Sequence, residues 1–210
     1  MRRGVNIVGQ SSRESMSKGP PATGNIIRLG VAVEAGILLF AIVLGWLFSH
    51  PPLQSIRVSW TAAFEGTAAT VPLLIAMWGC SRSSCGPIKD LMRQVEEEVI
   101  PLFEGAPSHA LLLISILAGI GEECLFRGVL QPGLATWVGL PIALILTSGL
   151  FGLAHFISPT YAVLAGLIGA YLGVVAVVTD NLFVPIAAHA LYDFAAFKYL
   201  LSPKRRRILG

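Results

Sequence analysis

Three charged residues stand inside an otherwise apolar stretch of the sequence that runs from Ala110 to Leu130. They are Glu122, Glu123 and Arg127. On a helix of about 3.6 residues per turn, Glu123 and Arg127 share one face and can pair, while Glu122 points about 100° away. The pair would neutralise one carboxylate and leave Glu122 free to act as a general base.

Two later apolar stretches each carry a histidine, namely His155 and His189. Asp193 follows His189 by four residues, so the two share a helical face. Ionisable groups at membrane depth are costly unless they are paired or face a wet cavity. We therefore expect the acids and the imidazoles to converge on one cavity. The alternative is that each histidine is packed, hydrogen-bonded and purely structural.

The composition is that of a membrane protein. Of 210 residues, 54% are hydrophobic and only 13% are charged, whereas soluble domains have about 25% charged residues. We predict an all-α fold, a polytopic membrane helical bundle of about six transmembrane helices plus one interfacial amphipathic helix. The spans are expected at about residues 29–49, 60–78, 110–134, 140–157, 161–178 and 182–201.

Residues 87–103 alternate apolar and charged positions with a period near 3.6, which predicts an amphipathic helix along the cytoplasmic interface. We interpret it as a surface cover rather than a substrate-docking element. The chain then divides into a disordered cytoplasmic tail (1–25), two N-terminal transmembrane helices (26–80), a cytoplasmic loop with the amphipathic helix (81–107), a catalytic four-helix core (108–201) and a basic cytoplasmic tail (202–210).

Basic residues set the expected orientation. Several precede the first span, Lys204–Arg207 follow the last, and only Arg57 among the loop residues falls on the other side. By the positive-inside rule, both termini are expected to be cytoplasmic in a plasma (inner) membrane, which requires an even number of spans. The basic clusters indicate topology and lipid contact rather than nucleic-acid binding. The oligomeric state does not follow from the sequence.

Three motifs, in this order on successive predicted helices, resemble those of the CPBP family of intramembrane proteases. They are Glu-Glu-x-x-x-Arg at residues 122–127, Phe-x-x-x-His at 151–155 and His-x-x-x-Asp at 189–193. The family groups the CAAX prenyl protease type with the bacteriocin-processing and abortive-infection types, and the resemblance covers roughly residues 85–200. Asp193 departs from the asparagine of the eukaryotic CAAX proteases.

The resemblance implies an integral membrane enzyme, an endopeptidase that hydrolyses a peptide bond in a membrane-associated peptide or protein. Glu122 would activate a water molecule that His155 also holds. Glu123 would act indirectly, through its pair with Arg127, by orienting the site. Nothing in the sequence indicates recognition of a prenyl group.

By the same resemblance, His189 and Asp193 would form the oxyanion side of the site, with His189 donating to the developing negative charge. Asp193 would orient His189 or be protonated, and we favour orientation. Glu122, His155 and His189 are also an acceptable zinc set, which favours a metalloprotease, although no His-Glu-x-x-His is present. Whether a metal such as Zn²⁺ takes part stays open.

Two other classes of function use the same residues. A non-proteolytic membrane immunity or peptide-binding protein would use the polar cavity for recognition. A small transporter would use its carboxylates as a proton relay, although the two halves of the chain show no internal repeat.

Two observations do not fit a single site directly: two further glutamates lie in predicted spans, and His155 is offset from Glu122 along the membrane normal. Glu34 and Glu65 also lie in predicted spans, and we expect structural partners for them, such as Arg28 or Thr67, rather than a second site. Residue counting also places His155 about 10 Å nearer the cytoplasmic face than Glu122. Helix tilt or a longer third span must close that gap.

Overall fold

A computed structural model describes residues 21–202, and over this range the chain forms eight α-helices and no β-strand. The helices are α1 Pro21–Leu47, α2 Trp60–Arg82, α3 Gly86–Gln94, α4 Ser108–Glu123, α5 Gln131–Val138, α6 Leu140–Ala154, α7 Pro159–Thr179 and α8 Phe183–Leu200. The predicted tails lie outside the described residues, except that α1 already begins at Pro21 and so includes the end of the first tail.

Helices α4 and α5 form one rod, because the turn between them, Cys124–Leu130, is π-helical rather than a break. The rod, Ser108–Val138, has 31 residues and is longer than the predicted third span. At 1.5 Å per residue it measures about 46 Å, against about 30 Å for the hydrocarbon core of a bilayer. It must therefore tilt within the membrane or project beyond it.

Four helices are long and apolar enough to cross a membrane, which confirms the predicted helical membrane bundle. They are Thr23–Leu47, Trp60–Arg82, Ser108–Val138 and Pro159–Thr179. Helix α6 is apolar but has only 15 residues, and α8 has 18 residues that include His189, Asp193 and Lys198. The fourth and the sixth of the six predicted crossings, at α6 and α8, therefore remain predictions.

All four tryptophans are exposed, and they lie near helix ends. Trp60 and Trp78, near the two ends of α2, are separated by about 27 Å along the helix axis at 1.5 Å per residue. This separation is close to the thickness of the hydrocarbon core, and tryptophan favours the boundary between membrane and water. The separation of the two residues therefore fits one tryptophan at each membrane boundary along α2.

Helix α4 packs closely against two neighbours through glycines. A Cβ atom at Gly119 would lie 2.9 Å from the carbonyl oxygen of Ile186 in α8. A Cβ atom at Gly121 would lie 2.9 Å from the carbonyl oxygen of Glu34 in α1. Small residues allow such close approach of membrane helices. Here the two glycines bring α1 and α8 against α4 just before Glu122 and Glu123 in the chain.

We expect Gly119→Ala to lower the free energy of unfolding by about 1–3 kcal/mol, because the added methyl group must push α8 away from α4. Gly149 of α6 provides the matched control, since a Cβ atom there meets nothing within 4 Å. Thermal unfolding of both variants in one detergent measures the difference. Equal melting temperatures for Gly119→Ala and Gly149→Ala would contradict the close packing.

The predicted amphipathic segment is helical but not uniform. It consists of α3, a π-helical turn at Val95–Val99 and a 3-10 turn at Ile100–Phe103. Leu91 is buried in it, whereas Leu102 is exposed. The apolar face is therefore only partly covered by the rest of the protein, and the position of the segment at a membrane surface remains a prediction.

The loop between α1 and α2 is fastened to the loop between α7 and α8. The backbone N–H of Arg57 donates to Asn181 Oδ1 at 2.9 Å, and Asn181 Nδ2 donates back to the Arg57 carbonyl oxygen at 2.8 Å. The Arg57 side chain also pairs with Asp180 at 3.2 Å. These two loops therefore lie on the same side of the bundle, as an alternating path through the membrane requires.

Candidate active site

A buried ion pair forms the closed side of the site. Arg127 Nη1 donates to Glu123 Oε1 at 2.7 Å, and the two side chains are at most 1% exposed. Arg127 Nη2 donates to the carbonyl oxygen of Gly169 in α7 at 2.7 Å. The guanidinium also lies 4.5 Å from the centre of the Phe151 ring. The pairing predicted from the spacing of four is present, and it ties α4 to α7.

Gln131 repeats this arrangement farther along the rod. Its Nε2 donates to the carbonyl oxygen of Gly173 at 3.2 Å, four residues beyond the glycine that Arg127 contacts. A Cβ atom at Gly173 would lie 2.7 Å from Gln131 Oε1, so the contact needs a glycine. The sequence analysis missed Gln131, whose signal is its spacing of four from Arg127 within an apolar segment.

His189 of α8 reaches the same ion pair. Its Nδ1 lies 2.8 Å from Glu123 Oε1, and it donates there because an ionised carboxylate can only accept. Its Nε2 lies 3.5 Å from Asp193 Oδ2, a longer contact. The shorter contact of the ring is therefore its donation to Glu123, while the contact with Asp193 that the sequence analysis favoured is present but longer. The register of α8 against α4 determines which carboxylate His189 Nδ1 reaches.

Glu122 faces His155 on the other side of α4. His155 Nδ1 lies 2.9 Å from the carbonyl oxygen of Phe151 and must donate to it, because a carbonyl oxygen only accepts. His155 Nε2 lies 3.4 Å from Glu122 Oε2. In the neutral ring both of these atoms are acceptors, so a hydrogen atom must lie between them. Either protonation of Nε2 or a water molecule that donates to both atoms supplies that hydrogen.

Phe151 holds the imidazole and the guanidinium in place. Its ring stacks on the His155 ring with 4.5 Å between centroids, and it meets the His189 ring edge-on at 6.0 Å. The Arg127 guanidinium covers it as well. The sequence motif contained Phe151 without a role, and the structure gives it one as the aromatic contact between the two histidine-bearing helices.

The expected offset of about 10 Å between Glu122 and His155 is absent, since the two side chains meet at 3.4 Å. One contribution is the longer third span, Ser108–Val138. Another is that α6 ends at Ala154, so His155 has already left the helical conformation, with φ −100° and ψ 25°.

The site is sealed on one side and open on the other. The Glu123 side chain is fully buried, and Glu122 is 10% exposed. The side chains of His155 and Asp193 are each 27% exposed. The accessible side of Glu122 is therefore the one that faces His155 and Asp193.

Glu122, His155 and His189, the residues suggested as zinc ligands if a metal is bound, are not placed to share one ion. Within residues 21–202, no group of three His, Cys, Asp or Glu side chains is placed to hold a metal ion. His189 has a carboxylate beside each ring nitrogen, and His155 Nδ1 is taken by a backbone carbonyl. The residues do not fit a zinc centre, and no step proposed below uses one.

The two remaining membrane glutamates differ from the expected pattern. Glu65 is exposed on α2, and the nearby hydroxyl of Thr67 donates instead to the carbonyl oxygen of Ala63. Glu34 Oε2 is buried and has no hydrogen-bond partner among the described residues. The structural partners expected for them, Arg28 or Thr67, therefore do not account for Glu34.

Comparison with known proteins covers the second half of the chain. Residues 105–195 match the family model described as type II CAAX prenyl endopeptidase Rce1-like. The matched region contains the six predicted site residues and excludes α1 to α3. No curated protein and no solved structure matches the chain.

Proposed function

From the match of residues 105–195 to the Rce1-like type II CAAX prenyl endopeptidases, which is consistent with a CPBP intramembrane protease, we propose that this protein is an intramembrane endopeptidase. Its substrate is a membrane-associated peptide or protein. The contact between Glu122 Oε2 and His155 Nε2, 3.4 Å apart at the open side of the site, is the observation that supports this most directly.

Hydrolysis begins with a water molecule between Glu122 and His155. Glu122 takes a proton from this water while the water oxygen attacks the carbonyl carbon of the substrate. His155 holds the second water hydrogen, and its ring cannot turn because Nδ1 is bound to the Phe151 carbonyl. The proton on Glu122 then passes to the amide nitrogen as the C–N bond breaks, which yields a carboxylic acid and an amine.

The oxyanion side is formed by His189. Its Nδ1 is committed to Glu123, so donation to an oxyanion must come from Nε2, and donation from both nitrogens requires the imidazolium form. The carboxylates of Glu123 and Asp193 supply the opposite charges on the two sides of the ring. Nε2–H then donates to the substrate oxygen as negative charge develops there, in place of its long contact with Asp193.

The depth of the site suits a substrate held in the membrane. Thr70 of α2 contacts α8 at Ala188, so His189 lies about ten residues, or 15 Å, past the boundary that Trp60 marks. Asp193 lies about 6 Å closer to the boundary at Trp78. The polar groups therefore extend from mid-membrane toward one surface, where the bond to be cut would lie.

The proposal is tested by cleavage assays on the purified full chain in liposomes. One internally quenched peptide carries a farnesylated CAAX ending, and a matched peptide lacks the farnesyl group. Mass spectrometry of the products identifies the bond that is cut, and a preference for the farnesylated peptide assigns prenyl recognition. Binding of these peptides without any cleavage would instead favour the peptide-binding alternative.

We expect removal of metal ions to leave the cleavage rate unchanged, because the site residues do not form a three-donor group. The assay is repeated after dialysis against 1,10-phenanthroline, with a known zinc peptidase treated in parallel as the control. A rate that falls on dialysis and returns when Zn²⁺ is added would contradict this expectation.

A further inference from the structure

Glu34 lies on the face of α1 that packs against the rest of the bundle. Four residues before it, a Cβ atom at Gly30 would lie 3.4 Å from the side chain of Ile114 in α4. Two turns after it, Ala41 is completely buried. Most other residues of α1 are exposed, as expected for a helix at the edge of a membrane bundle. The Glu34 side chain is therefore directed into the protein, not into lipid.

This face of α1 contacts α4 at the height of Glu122 along the helix axis. The carbonyl oxygen of Glu34 is 2.9 Å from the Cβ position of Gly121, the residue that precedes Glu122. The Glu34 carboxyl group interacts electrostatically with four groups of the site. They are Glu122, Asp193, His189 and His155. Helix α1 thus adds a fourth carboxyl group to the site, beside those of Glu122, Glu123 and Asp193, from outside the region that the family model matches.

Glu34 Oε2 is a buried acceptor for which residues 21–202 supply no donor. Buried acceptors are almost always paired, so a donor is expected to arrive with the substrate. Two ring N–H groups of the site are already engaged, since His189 Nδ1 binds Glu123 and His155 Nδ1 binds the Phe151 carbonyl. A peptide substrate brings one N–H to the reacting centre, that of the scissile amide.

We propose that Glu34 is a further catalytic residue of this site and that its carboxyl group binds the leaving nitrogen of the scissile bond. The inference rests on the proposed function. Glu34 Oε2 accepts the N–H of the scissile amide and keeps the nitrogen facing Glu122. The proton that Glu122 took from water passes to this nitrogen, the C–N bond breaks, and Glu34 retains the hydrogen bond to the released amine.

The kinetic test compares Glu34→Leu and Glu34→Gln, with Glu65→Leu as the matched control at an exposed membrane glutamate. Leucine keeps the bulk of the side chain but loses the acceptor. We expect Glu34→Leu to lower kcat about 10- to 100-fold with little change in KM, because the hydrogen bond to Glu34 strengthens when the leaving nitrogen is protonated and becomes positively charged. Glutamine retains an acceptor oxygen and recovers part of the activity.

Two kinetic outcomes would overturn the proposal. One is a wild-type kcat in Glu34→Leu. The other is an equal loss in Glu34→Leu and Glu34→Gln, which would indicate a structural effect rather than the loss of an acceptor. Loss of activity in Glu65→Leu would count against it too, since that side chain does not face the site.

A second test does not depend on cleavage. The native cysteines Cys80, Cys85 and Cys124 are replaced by alanine, and Glu34→Cys or Glu65→Cys is introduced. Labelling by an anionic methanethiosulfonate reagent is followed by mass spectrometry. The farnesylated peptide with its scissile bond reduced to CH₂–NH should slow labelling at position 34 several-fold and leave position 65 unaffected.

The two tests separate failure of the inference from failure of the proposed function. Unreactive or unprotected cysteine at position 34 in a protein that cleaves the parent peptide would overturn the role of Glu34 alone. Protection at position 34 in a protein that cleaves nothing would keep Glu34 in the substrate pocket and reject the endopeptidase.

Discussion

Replacing Glu122 with glutamine lowers kcat for peptide cleavage by about 10²- to 10⁴-fold, the range expected for loss of a general base. Glutamine has nearly the same shape but cannot take the proton from water. Its amide group would also donate directly to His155 Nε2, which lies 3.4 Å from the native carboxylate, and so occupy the place of the water. Steady-state cleavage of the quenched peptide by the purified variant measures the effect.

The matched control for this substitution is Glu65→Gln, which makes the same chemical change at an exposed membrane glutamate. It should keep wild-type kinetics. Both variants should unfold at the temperature of the parent protein in detergent. A Glu122→Gln protein that is folded and retains more than about a tenth of the parent kcat would show that another group activates the water.

Replacing Arg127 with methionine has the largest expected effect on stability. The substitution leaves the Glu123 carboxylate fully buried without its cation and leaves the Gly169 carbonyl without its donor. Breaking one side of a buried ion pair costs about 3–5 kcal/mol. Thermal unfolding in detergent should show a large fall in melting temperature, and peptide cleavage should be lost with it.

Two further variants identify which property of Arg127 the stability depends on. Arg127→Lys keeps the charge but not the planar group that contacts Glu123, Gly169 and Phe151 together, so it should be intermediate in stability. Combining Arg127→Met with Glu123→Gln removes both charges and should recover part of the stability but not the activity, because His189 Nδ1 loses its charged acceptor. An Arg127→Met protein as stable as the parent would refute the structural role of the pair.

Local spacing in the sequence predicted the parts of the site that a single helix determines. Glu123 and Arg127 are four residues apart and pair as expected. The convergence of Glu122 with His155 was predicted only from the cost of burying polar groups separately. The structure brings these two side chains to 3.4 Å even though residue counting suggested an axial gap.

Contacts between helices could not be predicted, because they depend on the register of one helix against another. His189 binds Glu123 because Gly119 lets α8 approach α4 closely, and sequence spacing alone favoured Asp193. Hydropathy located Glu34 in a span but could not tell which way the side chain faces. The same limit applies to the zinc set, whose three residue types suit zinc although their side chains are not placed to share an ion.

The π-helical turn at Cys124–Leu130 determines which way α5 faces relative to α4. A π turn acts like the insertion of one residue into an α-helix, which shifts the angular phase of everything beyond it by about 100°. Before the turn, α4 presents glycines to α1 and α8; after it, Gln131 is aimed at α7. A change of one residue in length here would therefore re-aim α5 while Glu122 and Glu123 stayed in place.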